Sequence, residues 1–288
     1  LAVALFYSCK KENATSQRET ILKGQTAILV DETLLPIVED QLAVFENSYD
    51  AKIKLLPLSE KEAVLALIDG KADIIILSRK LSSEEEKAIK QKKINPRTTA
   101  FATDGIALIQ NKSNPDTLIN LNEVIQFMKG EKTTIKGLVF DNPNSSTMQY
   151  MMELAQQKQV PSEGVFSFKT NEEVIKHIAQ NDGMVGVVGI NWIAQPKPEM
   201  QQYIDKINVL NVQNSKNKYI YPSQEAIATR DYPLARDLYI INCQGYEGLG
   251  MGFASFIAGE KGQRIILKSG LAPVRIPSRK IATRKNIE

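Results

Sequence analysis

The sequence is poor in the residues on which much protein chemistry depends. Its 288 residues include one histidine, His177, one tryptophan and two cysteines. It carries no HExxH zinc motif, no GxSxG nucleophile elbow and no P-loop phosphate motif. The sequence therefore gives no indication of a zinc enzyme, a serine hydrolase or a P-loop nucleotidase. Neither a catalytic activity nor a cofactor is expected.

An excess of charge of one sign is also lacking. The formal net charge is +3, from 36 basic and 33 acidic residues that are scattered along the chain. A nucleic-acid-binding surface needs basic residues that cluster on one face or along one helix. Nucleic acid is therefore not an expected partner.

Apolar residues, by contrast, are plentiful. They make up 43% of the sequence, which is enough for a large core and for two lobes. The two cysteines do not have the spacing of a metal site. Cys243 lies in an apolar segment, where a buried cysteine behaves as a small hydrophobic residue.

The other cysteine, Cys9, follows a short apolar run over Leu1–Ser8, and a polar stretch continues to Thr20. This order resembles the end of a bacterial lipoprotein signal, in which Cys9 would carry the lipid. Residues 1–20 are then a signal remnant and a flexible tether. The alternative is a plain leader in which the cysteine is incidental.

The next third of the chain alternates between strands and helices. Apolar runs at Gln25–Val30, Ala51–Leu56 and Ala72–Leu77 predict strands, and each is followed by a stretch with helical periodicity. This alternation predicts a doubly wound α/β sheet. Ligands of such sheets bind at the carboxyl ends of the strands, where the sequence places three candidate residues: Thr33, Ser78 and Arg79.

A second candidate site lies at Leu138–Met152. A short apolar strand is followed by the turn Asp141–Asn144, and a helix begins near Ser145. Ser146 and Gln149 fit a capping box. Four other predicted helices have a glutamate three residues after the cap, in the pairs Ser59 and Glu62, Ser83 and Glu86, Asn120 and Glu123, and Thr170 and Glu173.

The helix near Ser145 has no such acid, and it begins with three hydroxyls, those of Ser145, Ser146 and Thr147. The positive end of its dipole is therefore expected to be open to an anion from outside the chain.

Five segments resemble, in chain order, motifs of the phosphate-binding, PstS-like substrate-binding proteins of ABC transporters. They are Ala72–Ile74 with Ser78–Leu81 and Glu84-Glu85, Ala102–Ile109 with Asn111, Asn144–Thr147, Tyr232–Arg236 with Leu238-Tyr239, and Gly262–Ile266 with Gly270–Pro273. The matches extend from about Val30 to Pro273, which is nearly the whole mature chain.

The resemblance implies a type II periplasmic binding protein, in which two doubly wound α/β lobes are joined by two crossover strands. Lobe 1 would comprise residues 21–106 plus 220–288, and lobe 2 residues 107–219. The implied function is that of a monomeric, lipid-anchored periplasmic receptor. It would bind inorganic phosphate or a related oxyanion and deliver it to an ABC permease, without metal or cofactor.

The family's anion ligands correspond to Ser78, Ser145 and Thr147, with Thr33 near the first helix start. Ser146 stands in place of a glycine in this cradle. Asp141 stands where many members have arginine, so Arg79 is expected to supply the missing positive charge.

The acidic residues at this site set the expected selectivity. The carboxylates of Asp141 and Glu32 are expected to accept the proton of hydrogen phosphate and so to exclude sulfate. Asp31 and Glu32 also stand where members often have small polar residues. Two alternatives follow from these acidic departures: a receptor for another small ligand, or a surface lipoprotein that serves as a protein-interaction module.

Overall fold

The structure of the chain is a computed structural model that describes residues 19–278. Cys9 and the predicted signal remnant up to residue 18 lie outside the described residues. The strands are β1 Lys23–Asp31, β2 Asp50–Leu58, β3 Ile74–Leu77, β4 Arg97–Asn111, β5 Leu118–Ile119, β6 Leu138–Phe140, β7 Val165–Ser167, β8 Val185–Gly189, β9 Ile207–Val209, β10 Asn211–Gln213, β11 Tyr219–Ile220, β12 Ala235–Asn242 and β13 Ala272–Pro273.

The helices alternate with these strands, as the periodicity predicts. They are α1 Leu35–Ser48, α2 Glu60–Asp69, α3 Ser83–Gln91, α4 Leu121–Met128, α5 Ser146–Leu154, α6 Asn171–Gln180, α7 Asn191–Ala194, α8 Gln201–Ile204, α9 Gln224–Ala228, α10 Leu249–Ala258 and α11 Glu260–Lys268, with 3-10 turns at Glu32–Leu34 and Pro198–Met200. The predicted α/β fold class is confirmed. Within the described residues, no helix has the length and apolar character needed to cross a membrane.

The described strands form one ten-stranded sheet and one small three-stranded sheet. Along the large sheet the order is β2-β1-β3-β12-β4-β8-β6-β7, and β9 and β13 also pair with β4. β1 lies parallel to β2 and β3, and β6 lies parallel to β7 and β8. The large sheet therefore contains two parallel groups of strands, and antiparallel strands join them.

The first parallel group is covered on both faces. Ile28 and Val30 of β1 belong to the larger apolar cluster with Phe45 of α1. Leu29, between them, belongs to the second cluster with Val64 of α2. Alternate residues of one strand thus point to opposite helical layers. This is why the end of β1 and the whole of β3 read as continuous apolar runs, whereas β2 at the edge of the sheet alternates between buried and exposed residues.

The joining strand β4 corrects the sequence-based prediction in one respect. The pattern of Arg97–Gln110 predicts two strand-like runs around Thr103–Gly105, but the structure has one strand from Arg97 to Asn111. Its first part pairs with β12, and its second part pairs with β8 and β9. The residues around Gly105 keep an extended backbone because each has a ladder partner on a neighbouring strand.

This topology brings several strand ends and helix starts together. β1 and β3 end at Asp31 and Leu77, and β6 ends at Phe140. The first turns of α5 and α6 lie near these ends, as their side-chain contacts below show. Carboxyl ends of parallel strands and amino ends of helices are both favourable places for a ligand.

Candidate functional site

The start of α5 is the first component of the site. Ser145 caps the helix, and its side chain accepts the backbone N–H of Met148 at 3.3 Å. The predicted capping box of Ser146 and Gln149 is wrong because the helix begins one residue earlier, with Met148 at the third position. As expected, the first turn contains no acidic residue. Its first N–H groups have no acceptor within the helix.

The three hydroxyls predicted to line the site are all buried. Ser145, Ser146 and Thr147 are each at most 1% exposed. Ser145 Oγ and Thr147 Oγ1 lie 2.9 Å apart. The Ser146 hydroxyl instead accepts a hydrogen bond from Arg236 Nη1 at 2.9 Å. The start of α5 therefore presents hydroxyls in two directions.

Arg236 is a buried cation that the sequence analysis did not select. The register of β12 against β4 places it directly opposite Asp104. Its Nε and Nη2 donate to the two oxygens of Asp104 at 2.9 and 3.1 Å. Its Nη1 donates to Ser146 and also to Ser78 Oγ at 3.2 Å. One edge of the guanidinium thus binds the Asp104 carboxylate. The third nitrogen donates to Ser78, which follows β3 of the first parallel group, and to Ser146, which begins α5 beside the second group.

Arg79, the predicted positive charge, has different partners. Its Nε donates to Glu60 Oε1 at 2.8 Å, and its two terminal nitrogens donate to Glu85 at 2.8 and 3.0 Å. Glu85 also caps α3 with Ser82, one residue before the predicted pair of Ser83 and Glu86. Arg79 therefore balances two glutamates, and its contact with a ligand stays a prediction.

Ser78 lies between Arg236 and Glu60, the partner of Arg79. Its hydroxyl donates to Glu60 Oε2 at 3.3 Å and accepts from Arg236. Ser78 and Glu60 are both buried. Together with Arg79 and Ser146 they line a cleft of about 590 Å³ between α2 and α5. The cleft leads from solvent to the buried hydroxyls.

Asp141 lies on the opposite side of the α5 start from Arg236. Its Oδ1 accepts from Thr147 Oγ1 at 2.7 Å. Its Oδ2 accepts from Thr33 Oγ1 at 3.1 Å and from Asn171 Nδ2 at 3.0 Å. The chain itself therefore places one negative group beside the start of α5, and binding of an anion from outside stays a prediction. The acid comes from the preceding turn rather than from the helix.

Asn171, at the start of α6, is a second residue that the sequence analysis missed. Its amide also donates to Glu32 Oε2 at 2.8 Å, and its carbonyl oxygen accepts the backbone N–H of Gly189. Asn171 therefore holds Glu32 and Asp141 together. The available signal was its place at a helix start soon after β7, which ends at the same edge of the sheet as β6.

Two further carboxyl groups at this site have shifted pKa values. Burial and the charge of Asp141 raise the pKa of Glu32 to about 8, although the hydrogen bond from Asn171 opposes the shift. Burial and the charge of Glu60 raise the pKa of Asp31 to about 7, and the charge of Arg236 opposes this. Near neutral pH Glu32 therefore holds a proton that an exposed carboxyl would have lost, and Asp31 is only partly ionised.

Asp31 has one oxygen in use and one without a partner. Its Oδ1 accepts the backbone N–H of Thr33 at 3.3 Å. Within the described residues, no hydrogen bond reaches its buried Oδ2. No group of three or more histidine, cysteine or acidic residues in this part of the chain is arranged to hold a metal ion. The acidic residues therefore do not form a recognisable cation site.

The structure thus brings the predicted residues into one region but divides them between two groups. Ser78 and Ser146 face Arg236, whereas Thr33, Thr147 and Glu32 surround or approach Asp141. Four further residues belong to the site: Asp104, Arg236, Glu60 and Asn171. The first three become visible only when distant segments are paired.

Comparison with known proteins places this geometry in context. The model of the PBP superfamily domain matches residues 15–261. The phosphate-binding protein PstS of Borreliella burgdorferi is 23% identical over 296 residues, which cover 96% of each chain.

Solved structures show a similar fold. A Clostridium perfringens structure described as a phosphate ABC transporter substrate-binding protein with bound phosphate has a TM-score of 0.71 and 19% identity, with 88% of this chain and 100% of that chain covered. An ABC-type phosphate transport receptor from Vibrio cholerae has a TM-score of 0.65 and 17% identity, with coverage of 87% and 100%.

Proposed function

Because the chain belongs to the PBP superfamily, we propose that it is the substrate-binding receptor of an ABC transporter and that it binds phosphate or a related oxyanion. The observation that carries the proposal is the buried Arg236, whose Nη1 points to the hydroxyls of Ser78 and Ser146 at the start of α5. Cation, hydroxyls and free helix N–H groups are the donors that an oxyanion requires.

Each donor has a distinct part in the proposed binding. Arg236 provides charge-assisted hydrogen bonds while Asp104 fixes its plane. Ser78 and Ser146 can turn their hydroxyls from their present partners to a ligand oxygen, since hydroxyl hydrogens rotate freely. The N–H groups at the start of α5 add the positive end of the helix dipole.

The carboxyl groups supply the selectivity of the proposed site. With its pKa raised to about 8, Glu32 is protonated at neutral pH and offers an O–H donor. Asp31, with a pKa of about 7 and an unpartnered oxygen, can accept a proton from the ligand. Hydrogen phosphate has such a proton and sulfate has none, so sulfate leaves the Asp31 oxygen unpaired.

In the proposed function the protein binds and delivers its ligand and does not catalyse a reaction. A monomeric receptor with lobes divided near residues 106 and 220 would close over the ligand and pass it to a permease. Periplasmic placement, and a lipid on Cys9, complete the proposal. Relatives that share the PstS name over nearly the whole chain support the receptor function.

Calorimetric titration with phosphate, sulfate and molybdate tests the proposal. At one hundred times its dissociation constant, a bound anion should also raise the free energy of unfolding by about 2.7 kcal/mol. Arg236→Lys should weaken phosphate binding roughly tenfold or more because the planar fork is lost. Absence of binding by any of these anions would reject the oxyanion function.

A second candidate function is a receptor for another small ligand, and the balance of charges favours it. Among the buried and partly buried groups beneath the cleft, the acidic residues are Asp31, Glu32, Glu60, Asp104 and Asp141, whereas the basic residues are Arg79 and Arg236. A cationic or zwitterionic ligand would suit this excess of acid. Stabilisation by organic amines and not by phosphate would select this candidate.

A further inference from the structure

The carboxylate of Asp141 accepts hydrogen bonds from several separate segments, as a bound oxyanion does. The residue is 1% exposed. Its carboxylate accepts from Thr33, Thr147 and Asn171 at 3.1, 2.7 and 3.0 Å. All three donors are neutral hydroxyl or amide groups. These are the donors that would otherwise coordinate an oxyanion beside the start of α5.

The donors come from separate parts of the fold. Thr33 follows β1 in the first parallel group, whereas Thr147 and Asn171 begin α5 and α6 beside the second group. The Asp141 carboxylate therefore ties the two groups together. An external oxyanion would make the same kind of link if it bound between them.

Other contacts complete this link without any ligand. Asn171 donates to Glu32 as well as to Asp141. The backbone carbonyl of Thr33 accepts from Asn191 Nδ2 at 3.1 Å and from the Trp192 indole at 2.9 Å. These hydrogen bonds add to the link between the end of β1 and the starts of α6 and α7.

We propose that Asp141 is a tethered anion that fills the Thr33, Thr147 and Asn171 part of the anion cradle and keeps the cleft closed without ligand. A bound oxyanion is then confined to the neighbouring donors of Arg236, Ser78 and Ser146. This inference rests on the proposed function for the identity of the ligand. It differs from the expected role of Asp141 as a direct acceptor of the ligand proton.

The first test is binding of inorganic phosphate to the parent, Asp141→Ala, Asp141→Asn and the control Asp182→Asn. Asp182 is an exposed residue in the second half of the chain, so its variant makes the same change of charge away from the cleft. Removal of a competing like charge should tighten binding by roughly tenfold or more in both Asp141 variants. The control should match the parent. Equal or weaker binding by both Asp141 variants would overturn the inference and leave the proposed function intact.

The second test is independent of any ligand. Small-angle scattering of the phosphate-free proteins should give a larger radius of gyration for Asp141→Ala than for the parent. Thr33→Val, which removes a donor across the cleft without changing the charge, should expand the protein in the same way. Equal radii for the parent and both variants would overturn the inference. If no protein binds phosphate, the proposed function fails, and this comparison alone decides whether Asp141 closes the cleft.

Discussion

The two sides of the start of α5 stabilise a buried carboxylate in different ways. On one side, the buried carboxylate of Asp104 faces a guanidinium and receives two N–H bonds from Arg236. On the other, the buried carboxylate of Asp141 receives its three hydrogen bonds from neutral groups. The first side is an ion pair, whereas on the second side no basic side chain of residues 19–278 forms an ion pair with Asp141.

The difference has consequences for the neighbouring residues. Asp104 takes one edge of the Arg236 guanidinium, and the remaining Nη1 still donates to the hydroxyls of Ser78 and Ser146. Burial, together with the negative charge of the neighbouring Asp141, raises the pKa of Glu32. The Arg236 side is therefore suited to receive an anion, whereas the Asp141 side resists a second negative charge.

The largest expected effect is the loss of the cation from the paired side. Arg236→Met should lower the free energy of unfolding by about 3–5 kcal/mol because Asp104 is left as a buried charge without a partner. Urea denaturation measures this change. Arg264→Met is the matched control, since Arg264 and its partner Glu260 are 40% and 48% exposed in their side chains and the pair is screened by solvent. Equal losses in the two variants would show that burial does not distinguish the two arginines.

The second prediction concerns the unpaired side and its dependence on pH. Glu32 has a folded-state pKa of about 8 against an ordinary value of 4.5. The folded protein therefore holds a proton that the unfolded chain has lost, and the free energy of unfolding falls as the pH rises between these two values. Each unit of pKa displacement corresponds to about 1.4 kcal/mol, so a loss on the order of a few kcal/mol is expected.

Thermal unfolding from pH 5 to pH 9 checks this dependence, with Glu32→Gln as the comparison. The glutamine variant cannot titrate at this position, so its stability should exceed that of the parent increasingly as the pH rises. Asp31, whose pKa is raised to about 7, contributes in the same direction in both proteins. Parallel curves for parent and variant would contradict the assignment to Glu32.

The third prediction tests whether neutral donors stabilise Asp141 in place of a cation. Thr147→Val removes the 2.7 Å hydrogen bond to the buried carboxylate and should lower the free energy of unfolding by about 1.5–3 kcal/mol. Thr134→Val is the control because the Thr134 hydroxyl donates to Glu123 in an exposed position. A loss in the Thr147 variant no larger than in the control would mean that the bond contributes little.

The smallest expected effect separates Arg79 and Arg236 by function. Arg79→Met should change phosphate affinity by about threefold or less because Glu60 and Glu85 already balance its charge. Titration calorimetry beside Arg236→Lys measures the contrast. A larger loss of phosphate affinity in the Arg79 variant than in the Arg236 variant would show that Arg79 is the main cation of the site.

Local features of the site could be predicted from the sequence. Ser78 and Arg79 follow β3, and a helix with an uncharged first turn begins after Ser145. The capping box of Ser59 and Glu62 is confirmed. The cap of α3 was placed one residue late because consecutive serines and glutamates fit the same pattern in two registers. Such features depend on backbone groups within one turn of the chain.

The sequence by itself therefore determined the alternation of strands and helices, the burial of apolar runs and the hydroxyls at the start of α5. Each of these follows from periodicity and from neighbours a few residues apart. Only the tertiary structure decided which charges meet. Arg236 finds Asp104 across 132 residues of sequence through the register of two antiparallel strands. Asp141 meets Thr33 across 108 residues because strand ends from the two parallel groups converge. A charge acts through distance in space, and that distance is fixed only when the sheet is complete.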